Sequence, residues 1–104
     1  MGINEAIDQA IALHKAGDLG AAEKAYRTIL VAAPALADIH YLLGMVCLSQ
    51  GRPDAAVKAL RTAVRMKDGQ GEWWYGLGLA LRQAGVLDRL LERDPATASL
   101  LMRD

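Results

Sequence analysis

Three glycines set the frame for the whole chain. Gly17, Gly51 and Gly85 stand 34 residues apart, and the same interval separates Ala22 from Ala56, Leu43 from Leu77 and Gly44 from Gly78. An interval of that length holds one helix, a turn and a second helix. Its recurrence in register therefore marks a solenoid, in which each unit packs only on its neighbours. Composition agrees: Ala and Leu dominate, Phe is absent and strand-like alternation is scarce. The expected fold is all-α, in a chain whose 104 residues suffice for one small domain and a modest core.

The 34-residue frame divides the chain into units at 3–36, 37–70 and 71–104. It predicts helices near 3–16, 20–32, 36–50, 53–66 and 72–84, with a short one at 87–93. Asp18 and Pro53 stand where a capping oxygen or a fixed φ starts a helix, and Pro34 closes the second one. Gly44 and Gly78 read as small residues that let helices approach closely. Trp74, Leu77 and Leu81 share one helical face by their spacing, which leaves Trp73 as the spare aromatic. After Gly85 the pattern changes, because Pro95 falls where a helix interior is due. A break is expected there, with Asp94 capping a last helix that turns Leu100 and Leu101 inward.

Charge and composition exclude several function classes. Lys+Arg and Asp+Glu number 12 each, so the formal net charge is zero and no global field draws the chain to nucleic acid or to an anionic membrane. A single cysteine, Cys47, cannot form an internal disulfide and suits a reducing compartment. Glu5 and Asp8 interrupt the amino end where a signal peptide needs an apolar run, and no stretch approaches the ~18 apolar residues of a membrane span. A soluble, cytoplasmic protein without membrane insertion is the expectation.

The search for chemistry returns little. Gly76-Leu77-Gly78 has Leu81 where a dinucleotide loop needs its third glycine, and no strand precedes it. Cys47 falls at a core position and is expected to be inert, and His14 and His40 lie in different units with no metal-ligand spacing around them. Neither an enzyme, nor a cofactor, nor a metal is expected. Lys58, Arg61 and Arg65, with Arg52 nearby, form a basic stripe that reads as a solvated face. Asp88, Glu92 and Asp94 offer acids that could complement it.

Taken in register, these residues resemble the tetratricopeptide repeat, whose pattern is W-x2-L-G-x2-Y, then G, then A-x3-F-x2-A-x4-P. The second unit supplies Leu43, Gly44, Cys47, Gly51, Ala56, Leu60 and Ala63, with His40 in the Trp place. The first matches in its second helix, through Gly17, Ala22, Tyr26, Ile29 and Pro34, and the third opens with Trp74, Leu77, Gly78, Leu81 and Gly85. The resemblance implies a right-handed solenoid of about three repeats, the last irregular with a C-terminal helix. It also implies a concave groove lined by the first helix of each repeat. Carried onto this chain, the groove residues are Ile7, Ile11, Tyr41, Leu42, Met45, Leu48, Tyr75 and Leu79. The carboxylate clamp known in the family is absent, because its places hold Ile7, Ile11, Leu42, Glu72 and Gly76.

An apolar groove of this kind implies a non-catalytic adaptor or chaperone, whose partner is a protein, expected to present an amphipathic helix. Self-association into a scaffold is the alternative. More loosely, Trp74, Leu77, Leu81, Gly85, Leu87 to Leu90, Asp94 and Pro95 resemble small chaperones of bacterial type III secretion that hold needle or translocator subunits. The stretches LHKAGDLGAAEKAYRTIL and GRPDAAVKALRTAV also look like the repeats preceding bacterial O-linked sugar transferases, without the transferase domain.

Overall fold

The protein was analysed as a computed structural model that describes residues 2–85. Five helices follow one another: α1 (Ile3–Lys15), α2 (Leu19–Ala32), α3 (Ala37–Ser49), α4 (Pro53–Met66) and α5 (Gly71–Gln83). Each agrees with the span expected from sequence to within one residue. Each helix packs on the next, and α3 also meets α5. The result is elongated, 55 × 26 × 22 Å, with a radius of gyration of 15.8 Å. A compact globule of similar length would have a radius of ~13 Å, so the chain is a solenoid. The expected helix at 87–93, the break at Pro95 and the inward Leu100 and Leu101 lie outside the described residues.

The three periodic glycines earn their interval through backbone conformation. Gly17, Gly51 and Gly85 have φ of 84°, 72° and 73°. This left-handed region costs a residue with a Cβ roughly 1–2 kcal/mol. Each ends a helix: Gly17 N–H donates to the His14 carbonyl and Asp18 N–H to that of Leu13, while Gly51 and Arg52 donate to Leu48 and Cys47. Such paired bonds satisfy carbonyls that a helix end would otherwise leave open. On the far side of the first turn, the Asp18 carboxylate accepts from Ala21 N–H at 3.4 Å and starts α2. Pro53 occupies the first turn of α4, where its missing N–H costs nothing.

The core runs along the interior of the solenoid. Tyr26, Val46, Cys47 and Leu60 are fully enclosed, and Ile39, Leu43 and Leu77 surround them. Gly44 permits the closest approach. A Cβ built there would lie 2.5 Å from Leu60 Cγ and 2.9 Å from its Cδ2, so only glycine lets α3 and α4 meet with this leucine between them. Gly78 does not repeat that contact: among the described residues nothing lies within 4 Å of the corresponding point. Gly76 provides the close approach in α5 instead, facing Met45 Sδ at 3.4 Å and Leu60 Cδ2 at 3.7 Å.

The two tryptophans also exchange the roles expected of them. Trp73 is 7% exposed and stacks on Tyr41 at 5.2 Å between ring centroids, whereas Trp74 is 50% exposed. The reason lies in the helical turn of about 100° per residue. Trp73 stands 34 residues after buried Ile39 and faces inward, while Trp74 stands 34 after His40, which faces the cleft between successive second helices. The shared register survives in a hydrogen bond. His40 Nε2 lies 2.9 Å from the Pro34 carbonyl, and Trp74 Nε1 donates to the Asp68 carbonyl at 2.8 Å, one repeat further on.

Candidate functional site

Helix α3 is the anomaly that directs attention to a surface. Its sequence, ADIHYLLGMVCLS, is apolar nearly all round, as befits a helix enclosed on every side. Yet only Ile39, Leu43, Gly44, Val46 and Cys47 are buried, while Tyr41, Leu42, Met45 and Leu48 are half-buried. Helix α4 offers the contrast. Ala56, Val57, Ala59, Leu60, Ala63 and Val64 turn to the core, and Lys58, Arg61 and Arg65 stand in solvent on the opposite side. One side of the solenoid is therefore an ordinary charged surface, and the other leaves apolar side chains short of cover.

The expected groove residues form two clusters, with three residues outside them. Ile7, Ile11 and Leu42 converge with Leu36, Ile39 and Met66 on a cleft of about 520 Å³ between α1 and α3. Tyr41 and Met45 approach Gly76 on α5, and Tyr41 carries the stacked Trp73. Leu48 is half-buried against the core. Tyr75, at 71% exposure, and half-buried Leu79 lie on α5 outside both clusters. Met66 and Lys67 went unforeseen in this setting, because they end a second helix whereas the expected lining came only from first helices.

Polar groups gather at the rim of the same side. Lys67 Nζ lies 5.8 Å above the Trp73 ring and 3.9 Å from an Asp38 carboxylate oxygen. Burial pushes the Tyr41 phenol above its ordinary range, and nearby Glu72 adds to the shift. Both tyrosines next to potential chemistry are thus held neutral, for burial likewise raises Tyr26, whose hydroxyl lies 3.1 Å from His14 Nδ1.

Elsewhere the residues that could carry chemistry are occupied structurally. Cys47 is fully buried, and desolvation first, then Glu23, raises its thiol and keeps it protonated. Arg52 donates to Glu23 at 2.7 Å and Arg27 donates to the other oxygen of the same carboxylate at 2.9 Å. Arg52 therefore has its complement in the first repeat. The acids at 88, 92 and 94 considered for that part lie outside the described residues. No group of three metal-ligating side chains occurs among the described residues. No helix among them is long and apolar enough to cross a membrane.

A comparison with protein families matches the tetratricopeptide repeat over residues 7–71 and 48–89. The chain belongs to this family. Tetratricopeptide repeats are non-catalytic units that generally mediate contacts between proteins. No curated protein matches the chain.

Proposed function

We propose that this tetratricopeptide repeat protein holds an apolar or amphipathic helix of a partner protein in its concave groove, acting as an adaptor or chaperone. The observation that carries the reading is α3, a helix apolar nearly all round of which one face is left half-covered. Burying an exposed apolar side chain contributes about 1 kcal/mol or more by area. A helix reaching Ile7, Ile11, Tyr41, Leu42, Met45 and Leu48 therefore competes with association costs of about 4–15 kcal/mol. The functional unit is a single domain spanning 1–104, with repeats near 3–36, 37–70 and 71–104. The lone Cys47 supports a cytoplasmic setting. The narrower reading, a chaperone for a needle or translocator subunit of type III secretion, rests on sequence resemblance alone.

The test is capture of partners from lysate with the wild type and with Ile11→Lys/Leu42→Lys side by side. The pair should abolish capture of a helical partner and leave far-UV circular dichroism unchanged. A double variant that captures the same partner as the wild type removes the groove from consideration.

A second reading, self-assembly, has one observation in its favour. A cleft of about 360 Å³ on the outer side of α1 and α2 is lined by Ala6, Ala21, Lys24, Ala25 and Thr28. The residues 34 positions later, His40, Ala55, Lys58, Ala59 and Thr62, line the cleft where α2 meets the next repeat through Leu30 and Val31. The outer cleft thus has the register of an interface between repeats. A second copy stacked there predicts a size that rises with concentration in the absence of any partner.

A further inference from the structure

The groove's two edges differ in charge. The first helices run in the same direction, so their amino ends share one edge. That edge carries Asp38 on α3 and Glu72 on α5, with Asp68 in the preceding turn, while the equivalent place on α1 holds Asn4. Among the described residues Lys67 is the cation that stands there, 3.9 Å from Asp38. Asp38 stays 71% exposed beside the cleft lined by Ile7, Ile11 and Leu42, and Glu72 is close enough to Tyr41 to act on its phenol. The opposite edge carries Lys15 and Arg82, while the second helices carry Lys24, Arg27, Lys58, Arg61 and Arg65 against only Glu23 and Asp54. Zero net charge thus conceals a segregated molecule, with carboxylates along one side of the apolar groove and most cations on its back.

Given the groove reading above, on which this rests, we infer that the occupant is a helix whose apolar stripe is bordered along one edge by lysine or arginine at heptad spacing. The spacing follows from the solenoid. Neighbouring packed helices lie about 8–10 Å apart, so Asp38 and Glu72 recur at about that interval along the groove. Seven residues of a partner helix rise about 10.5 Å. Cations at i and i+7 therefore meet Asp38 and Glu72 in turn, while leucines between them enter the cleft. An acidic edge in the same orientation faces the like charges of Asp38 and Glu72 and is rejected. Electrostatic complementarity of this kind selects and orients partners more than it adds affinity.

The experiment uses three synthetic helical peptides with one shared leucine stripe and with Lys, Gln or Glu at two edge positions seven residues apart. Each is titrated calorimetrically into the full chain at about 0.1 M and about 1 M salt, over which the screening length falls from ~10 to ~3 Å. The Lys peptide should bind about fivefold tighter than the Gln peptide at low salt, as expected for two exposed ion pairs, and the gap should close at high salt. Asp38→Asn/Glu72→Gln should narrow the gap without changing affinity for the Gln peptide. Equal binding of all three peptides overturns this inference and leaves the groove reading standing. Tighter binding of the Glu peptide overturns it too, and assigns the opposite, basic edge. If none binds, the groove reading falls and this inference with it.

Discussion

The contact between Gly44 and Leu60 is the tightest junction between α3 and α4, and it can be tested by mutation in both directions. Leu60 is fully buried, and it faces glycines on two different helices, Gly44 and Gly76. Leu60→Ala removes its branched end and leaves a cavity whose walls are helix backbone with little freedom to collapse. A cost of about 3–4 kcal/mol follows, a large part of the ~5–15 kcal/mol that hold a domain of this size together. Gly44→Ala acts in the opposite sense. It places a methyl 2.5 Å from Leu60 Cγ, where overpacking costs about 1–3 kcal/mol against a helix-propensity gain of about 1 kcal/mol. In the double variant the new methyl occupies space that the leucine vacated, so the costs should fall short of their sum by at least ~1 kcal/mol. Urea unfolding followed by far-UV circular dichroism measures all four corners of the cycle. Additivity within about 0.5 kcal/mol would mean that the two side chains do not meet, and the packing of α3 on α4 would have to be redrawn.

The tryptophan assignment predicts unequal substitutions. Trp73→Ala should cost about 3–5 kcal/mol and remove the blue-shifted, quencher-protected emission, whereas Trp74→Ala should cost about 1 kcal/mol and remove the component that iodide reaches. Equal quenching of the two single-tryptophan proteins would refute it. The Cys47 thiol should resist a disulfide reagent at neutral pH in the folded protein and react at once in denaturant, since burial both shields it and raises its pKa. Rapid labelling of the folded chain would contradict its enclosure. Hydrogen bonds from Arg27, then those from Arg52 and Gln50, lower the Glu23 pKa below its ordinary value of 4.5. A depressed carboxylate stabilises the fold above its unfolded pKa and loses that contribution as pH falls through the folded one. Glu23→Gln should therefore lower the melting temperature by a few degrees at neutral pH, with the difference vanishing in acid; a gap that persists in acid would assign the effect to packing.

Fold and function were legible in this sequence to different depths, and the reason is physical. The helix boundaries could be read closely because left-handed glycines, an Asp cap and a Pro at a first turn act over a few residues and leave local marks. The face that each residue presents was harder, because 100° per residue separates neighbours and a one-position slip exchanges buried for exposed. Trp73 and Trp74 illustrate it: the repeat pattern names one tryptophan position, and the adjacent ring is the one that Tyr41 and the core enclose. Gly76 and Gly78 show the same limit, since the chain shows two small residues and the packing decides which meets a neighbour. The groove was legible as a set of apolar first-helix positions, but its shape was not. Met66 and Lys67 reach the cleft from the end of α4 across 24 residues of chain from Leu42. Such contacts follow from how the repeats are inclined to one another, which no single repeat encodes. That same inclination brings Asp38 and Glu72, from two different helices, to one edge. A charge pattern invisible in the net composition becomes a row only once the repeats stack, and for that reason the choice of partner belongs to the solenoid and not to any one of its units.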